Sequence, residues 1–562
     1  MSQAPSTSSE PSSERHQRAA FVAFLIAELG AFVFYIVISR PMWFYLDEWD
    51  FLANRTAFNL GDLFRAHNEH WVTLPVVVYR GLWWIFGLNS YRPYQVVIVL
   101  LHLLAAFLVR TVMRRVGVRP WTATIVACML VFFGSGYQNI VFPFQMTLVG
   151  SLVFGLAHLL LVTHDNPTTS VRFIGPVDRR DVYGLAAGLA GLICSGVGVS
   201  MVIAVGVAVL LRRGWRAALL HTVPLGALYI VWYAAIGHVG YNGYRAGAGQ
   251  IATLVRTFTA AAFRAMGHGR GVAILLGILL IIGLILAWKP LGRAEFRRQA
   301  AMPFGLLVGA VALLCITGLG RAGLATFLEK SRYLHLVVAL VLPALGVAAD
   351  AVMRRSRWLV VPVVAVLVAG IPGNVNVIRT YMHKGIITNQ TPYKAMMLSL
   401  PRVAIAKQVP RDVKPEQLLA HFVTIGWLLD GVASGRIPKP SSISNANAAV
   451  DAVRLSFRQV VAGLEPGDVC YGVRTPLEFD LPAGKRIVIK APSATVRMIP
   501  ADDPFGGTYS FLVVTQLGST LETVRPVHFR LLNETAPIAR VCSDAATMSA
   551  ARALGLERAA KH

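Results

Sequence analysis

The segment Tyr45-Leu46-Asp47-Glu48-Trp49-Asp50-Phe51 places three carboxylates among aromatic side chains, directly after a long apolar run. A carboxylate held partly out of water can take a proton from a hydroxyl, because desolvation raises its proton affinity toward working pH. A carboxylate of this segment could therefore serve as a general base for a hydroxyl. A competing reading has these acids capping a short helix that starts near Phe51, where the positive helix end favours negative charge. That reading weighs more for Asp50 than for Asp47.

His67-Asn68-Glu69-His70 is the second group. On a helix, His67 and His70 would stand at i,i+3 and present two imidazoles on one face. Three roles stay open: hydrogen bonding to a phosphate or sugar, a structural role at the membrane surface, and a metal site. A metal held by His67, His70 and Glu69 would need a further ligand such as Asp47, His238 or His268, supplied by folding. The spacing is not HExxH, which disfavours metalloprotease chemistry.

A third group, Arg321, Lys330 and Arg332 with Glu329, precedes Tyr333. Fixed cations are what a lipid phosphate needs, and arginine offers a two-pronged fork. Such cations stabilise the charge that grows on a bridging oxygen as a group leaves phosphate. Ordinary headgroup contact or snorkelling is the alternative. Arg332 is the strongest of the three because Tyr333 follows it at a helix entrance. Arg245 and Arg270 read as headgroup contacts.

The elements that must position these groups are membrane spans. The chain has 562 residues, 55% hydrophobic and 14% charged, with a mean hydropathy of +0.58. Soluble chains carry about 25% charged residues, so a soluble enzyme and a disordered chain are both excluded. The net charge of +25 is not a nucleic-acid footprint. Residues 1–373 hold 31 Lys+Arg against 14 Asp+Glu, and the basic residues collect in short loops such as Arg110/Arg114/Arg115/Arg119 and Arg212/Arg213/Arg216. This is the positive-inside pattern. It predicts a disordered cytoplasmic tail over 1–20 and an anchor at 21–39, too long for a signal segment. Ten further crossings follow near 93–111, 120–134, 145–162, 182–195, 197–211, 217–236, 271–288, 301–319, 333–350 and 358–372. The amino end is then cytoplasmic and the carboxyl end outside. The expected fold is a polytopic α-helical membrane protein of about eleven transmembrane helices.

Residues 182–211 lie between two basic clusters and must cross twice in thirty residues. Each helix is then below the ~20 residues of a full span, with the turn at Ser195-Gly196-Val197-Gly198. Short paired helices are tolerated where they are buried in protein or line a cavity, which predicts a cavity open to the outer face. The loop 40–92 carries amphipathic stretches, Trp71–Phe86 above all, expected as interfacial helices. Residues 238–270 form a second such loop, with Arg256 and Arg264 on a helical pattern. Trp43, Trp49 and Trp71 read as an interface belt, or as a stacking surface for a sugar. Glu28 within the first span reads as a hydrogen-bonded residue facing the bundle or as a relay. Asn139 and Gln145 could face a sugar cavity or satisfy a bent backbone.

Beyond the spans, residues 376–562 read as an exported α+β domain: mainly helical over 376–460, then β-like runs such as Arg486–Lys490, Tyr509–Thr515 and Val527–Leu532, closed by a helix near 545–560. Its strands suggest a β-sandwich-like part. Cys470 and Cys542 flank that region on the side where disulfides persist and are candidates for a bridge. Cys128, Cys194 and Cys315 lie in apolar spans as core residues.

An acidic pair after the first transmembrane helix resembles the hallmark of the GT-C glycosyltransferases, such as the protein O-mannosyltransferases and lipid A aminoarabinose transferases. Asp47-Glu48 matches the Asp-Glu form. Phe144-Gln145, the Ser195-Gly-Val-Gly turn and Ser331-Arg332-Tyr333 also resemble actinobacterial membrane proteins grouped with them. The resemblance covers residues 20–372 as topology and implies a GT-C-like transmembrane domain over 21–375. It implies that Asp47 is the base, with Glu48 positioning Asp47 or the acceptor. It also implies a donor in which a sugar is carried on polyprenyl phosphate, inversion at the sugar carbon, and a glycan or protein hydroxyl as acceptor outside a bacterial plasma membrane. Arg332, Lys330, Arg321, His67, His70 and Tyr333 would then bind the donor phosphate or substrate. Some family members use a divalent cation and others none, so no cofactor is assigned. Mannose or arabinose is the donor sugar suggested by composition and analogy. The alternatives are a transporter or flippase for a lipid-linked glycan and a non-catalytic cell-envelope assembly protein.

Overall fold

The computed structural model describes residues 10–163, 177–240, 246–321, 331–384, 390–416, 419–440 and 445–553, apart from short stretches at 461–462, 474–475, 491–494, 503–510, 515–518 and 534–538. By contacts the chain falls into two units: residues 1–40, 57–78 and 92–385, and residues 41–56, 79–91 and 386–562. The loop after the first span, expected as one piece, is shared between them.

Helices follow the apolar runs, since a backbone in lipid must satisfy its own polar groups. They begin with α1 (Glu10–Ile38), α2 (Glu48–Ala53), α3 (Leu60–Phe64), α4 (Thr73–Phe86), α5 (Arg92–Arg115), α6 (Pro120–Val131), α7 (Gln138–Val141) and α8 (Met146–Val162). Next come α9 (Arg179–Leu192), α10 (Val197–Arg213), α11 (Trp215–Ala235), α12 (Ala248–Gly267), α13 (Arg270–Trp288), α14 (Arg293–Arg321), α15 (Ser331–Arg355), α16 (Val360–Val368) and α17 (Ile371–Lys384). Among the described residues, eight helices are long and apolar enough to cross a membrane. The other three expected crossings are shorter: α6 has 12 residues, α9 14 and α10 17. Helix α1 starts at Glu10, inside the stretch expected as a disordered tail.

In the first unit α15 is buried on nearly every side. Helix α10 packs on α14 through small residues: a Cβ on Gly305 would meet the Ala204 carbonyl oxygen at 2.5 Å, and one on Gly309 the Ala204 Cβ at 2.7 Å. Helices α9 and α10 form the expected short hairpin. Its turn is tied to α8, where Ser151 Oγ donates to the carbonyl of Gly191 at 2.7 Å.

The second unit contains α18 (Gln390–Ser399), α19 (Ile425–Ala433) and α20 (Asn445–Leu455), followed by β1 (Phe457–Val460), β2 (Val469–Val473), β3 (Leu477–Leu481), β4 (Arg486–Lys490) and β5 (Thr495–Pro500). Then come β6 (Phe511–Val514), β7 (Ser519–Thr523), β8 (Val527–Asn533), β9 (Ala539–Ser543), α21 (Ala545–Ala550) and β10 (Arg552–Ala553). Two five-stranded antiparallel sheets form, ordered β1-β7-β4-β9-β2 and β10-β3-β8-β5-β6. Ile487, Ile489 and Val541 from one sheet share a buried core with Val496, Met498, Phe529 and Leu531 from the other, as in a sandwich. Cys470 and Cys542 stand opposite each other on β2 and β9 and are joined by a disulfide. The expected closing helix stops at Ala550, because Arg552 and Ala553 pair with β3 instead; residues 554–562 lie outside the described residues.

Candidate active site

In the acid loop, Leu46 holds φ at 54°, a left-handed conformation that costs a side-chain-bearing residue energy. Its N–H donates to the Leu419 carbonyl at 2.6 Å, which fixes the bend. The bend starts α2 with Asp47 as the N-cap residue, half-buried and making no side-chain cap bond. Glu48 is 0% exposed. It accepts hydrogen bonds from Tyr79 Oη at 2.7 Å, Tyr91 Oη at 3.0 Å and the Tyr45 backbone N–H at 3.1 Å. Burial pushes its carboxyl up to about 8; the three hydrogen bonds pull the other way, and the charge of Asp47 adds to the rise. The two acids are thus unequal. Glu48 is largely protonated at neutral pH and walled in, suited to hold the loop, whereas the Asp47 side chain is only half-buried.

The helix begins at Glu48 rather than near Phe51, and Asp50 does not cap it. Asp50 instead pairs with Arg55 in a buried ion pair at 2.7 Å and accepts from Asn54 Nδ2 at 2.8 Å. The tryptophans form no belt. Trp43 and Trp49 are buried against each other at 5.6 Å, and Trp49 Nε1 donates to Tyr393 Oη at 2.9 Å. Trp71 stacks on Trp232 at 5.1 Å. Aromatic partners brought by folding cover these rings more completely than lipid headgroups would.

Within the first unit lies a cavity of about 410 Å³. Leu148, Val197, Ile230, Leu313 and Ile316 give it apolar walls, and Glu69, His70, Tyr229, Tyr233 and Tyr333 supply polar groups. Gly196, in the hairpin turn, donates its N–H to His70 Nδ1 at 3.3 Å. A neutral imidazole that accepts at Nδ1 carries its proton on Nε2, so His70 is a donor through that atom.

His67 and His70 do not share a helix face. They form an isolated antiparallel bridge, His67 N to His70 O at 3.0 Å and His70 N to His67 O at 3.1 Å, closed by Asn68 at φ 52°. Asparagine tolerates this conformation, so two mutual backbone bonds replace the expected helical turn. His70 lines the cavity, while the His67 ring packs 5.1 Å from Phe144. Among the described residues no group of three or more His, Cys, Asp or Glu side chains could hold a metal ion.

Arg332 lies with its guanidinium carbon 5.4 Å from the centre of the Tyr333 ring, and its carbonyl accepts from Asn139 Nδ2 at 2.9 Å. Its Nε is buried with no hydrogen-bond partner among the described residues, as are Asn139 Oδ1 and Gln145 Oε1. Asn139 also approaches His335, which meets His102 at 2.9 Å. Arg270 is exposed at the start of α13. Arg245, Glu329, Lys330 and the side chain of Arg321 lie outside the described residues. Folding therefore unites Glu69, His70, the hairpin turn and Tyr333 at one cavity. Residue spacing gives no sign of Tyr79 and Tyr91 as partners of Glu48, or of Tyr229 and Tyr233 as cavity residues. Tyr79 and Tyr91 each stand before an arginine, and Tyr229 and Tyr233 lie in an apolar run; neither setting carries partner information.

No protein-family model matches the chain, and no curated protein does. Among solved structures the chain is similar to the crystal structure of ArnT from Cupriavidus metallidurans bound to undecaprenyl phosphate, at 16% identity and a TM-score of 0.43, over 75% of this chain and 89% of that one. A likeness of that size leaves the chemistry to this chain's own residues.

Proposed function

We propose that this protein is an integral membrane glycosyltransferase. It takes a sugar from a polyprenyl-phosphate donor and passes it to a glycan or protein hydroxyl at the extracytoplasmic face, with inversion. The observation that carries the reading is the cavity: its apolar walls suit a prenyl chain, and its polar groups include His70, with a proton on Nε2, and Tyr333, which lies in the first turn of the buried α15 and follows Arg332. A pocket of mostly apolar lining with a few polar groups is the usual form of a ligand site.

In this reading Asp47 takes the proton of the acceptor hydroxyl. The acceptor oxygen attacks the anomeric carbon, the bond from that carbon to the phosphate oxygen breaks, and the phosphate leaves with the electron pair. Arg332, with Lys330 and Arg321, offsets the charge gathering on that oxygen. Glu48, neutral and bonded to two tyrosines, holds the loop that carries Asp47. The carboxy-terminal sandwich guides the acceptor. The arginine-rich loops support a cytoplasmic amino end.

The test is incubation of the purified full-length protein, in lipid nanodiscs, with a panel of radiolabelled polyprenyl-phosphate sugars, mannose and arabinose first. Transfer or slow hydrolysis from at least one donor is expected, and loss of it in Asp47→Asn. No turnover of any donor would remove the enzyme reading. One observation favours translocation of a lipid-linked glycan instead: Glu28 on α1 lines a groove with Leu25, Leu29 and Phe107, and its Oε1 is buried without a partner among the described residues. Transport that survives Asp47→Asn would select that reading.

A further inference from the structure

A second cavity, of about 340 Å³, occupies the other end of the helices that line the first. Leu148 of α8 and Val197 of α10 face the His70 cavity, whereas Thr163 at the end of α8 and Arg212 at the end of α10 face this one. Fifteen residues separate the members of each pair, about 22 Å at 1.5 Å rise per residue. Helix α14 repeats the relation, with Arg298 at one cavity and Gly320 at the other. The two cavities thus open toward opposite membrane faces, this one on the face of the basic clusters.

Its lining is cationic. Arg114 and Arg115 come from the last turn of α5, Arg180 from the start of α9, Arg212 from the end of α10 and Arg298 from the first turns of α14. No carboxylate is among its described lining residues, and Thr163 and Gln299 add neutral hydrogen-bonding groups. The guanidinium groups are held rather than loose. Arg115 donates to the Leu160 carbonyl, Arg114 to the Val118 carbonyl, and Arg212 to the Arg298 carbonyl at 2.9 Å. Glu295, beside the lining, takes up part of this charge through Arg298, which donates to it at 2.8 and 3.0 Å; five arginines around that one carboxylate still leave a net positive concave surface, and an anion placed there relieves the remaining repulsion. Arginine forks match the oxygens of a phosphate in pairs. Basic pockets between transmembrane helices on the cytoplasmic side suit anionic headgroups.

We propose that this cavity is a phosphate-binding site, filled by the headgroup of an anionic lipid or by a free phosphate-bearing anion. It is separate from the transfer site and does not depend on that reading.

The full-length protein in nanodiscs tests it. Inorganic phosphate is titrated against protein held in zwitterionic lipid, with thermal stability as readout. In a second arm, native mass spectrometry counts phosphatidylglycerol retained from mixed bilayers. Saturable binding in either arm supports the site, and which arm responds identifies the source: phosphate alone for a free anion, lipid alone for a headgroup. Arg212→Gln with Arg298→Gln should weaken that binding on the order of tenfold or more, and added salt should weaken the wild type. Arg297→Gln, exposed on α14 and outside the lining, should bind as the wild type does. Arg180→Gln alone, exposed at the start of α9, stands in if the double variant does not survive purification. No saturable binding in either arm, or equal binding by wild type and lining variants, overturns the proposal.

Discussion

The backbone N–H of Gly196 donates to Nδ1 of His70 at 3.3 Å, across 126 residues of sequence. That contact joins the turn of the short α9–α10 hairpin to the wall of the cavity and selects the ring tautomer. Gly196→Ala would put a Cβ 2.9 Å from His70 Nδ1 and 3.0 Å from Tyr229 Oη. The glycine has φ −56°, which alanine adopts freely, so the substitution acts through crowding alone. Gly196→Ala and His70→Ala should each weaken binding of a polyprenyl-phosphate sugar about tenfold, the worth of one charge-assisted hydrogen bond. Equilibrium binding in nanodiscs measures this. Unchanged affinity in both variants would separate His70 from the ligand.

Asp47→Asn keeps the shape of the N-cap residue and removes the proton acceptor. Sugar transfer should fall by about 10²- to 10⁴-fold, the usual contribution of a general base. Donor binding and thermal stability should stay at wild-type values. A variant that retains most of its rate would take the base role from Asp47.

Glu48 sets a pH dependence of stability whose sign follows from its burial. Its carboxyl titrates near 4.5 when unfolded and at about 8 when folded, so between these values the folded protein binds more protons. Stability from this group is therefore full below pH 4.5 and falls as pH rises toward 8. Glu48→Gln keeps a neutral hydrogen-bonding group there at every pH. The melting temperature of the wild type relative to this variant should drop as pH is raised from acid to mildly basic values. A difference that grows in the opposite sense would contradict a buried, protonated Glu48.

Arg332 should not tolerate lysine. Its buried Nε and its place over the Tyr333 ring need a planar guanidinium. Arg332→Lys is expected to lower kcat/KM about tenfold and Arg332→Gln further. Equal rates for wild type and lysine variant would reduce its role to charge alone, and no effect of glutamine would remove it from phosphate binding.

The disulfide closes a sequence separation of 72 residues within the sandwich. Cys470→Ser together with Cys542→Ser should cost about 2–4 kcal/mol of stability in that unit. Thermal unfolding in the presence and absence of reductant measures it. The wild type under reductant should match the double variant.

Much of the architecture was legible because it is written locally. Apolar runs, the arginine clusters between them and the switch to short β-like segments after residue 460 each reflect which solvent a stretch of chain must face. The hairpin at Ser195 followed from the basic clusters at both ends of 182–211 and from length, since thirty residues cannot span twice at full height. Legibility ended where partners are distant. Asp47 and Glu48 are neighbours in sequence, yet only folding decides that Tyr79 and Tyr91 enclose Glu48. Trp43 and Trp49 read as surface anchors until Tyr393 and Trp427 cover them. The histidine pair read as one helix face because spacing cannot reveal a left-handed Asn68, which is tolerated here only because the two flanking backbone bonds close over it. Periodicity reports the environment on each side of an element. A cavity assembled from residues 69, 196, 229 and 333 depends on contacts between segments far apart in the chain, and no local pattern specifies those.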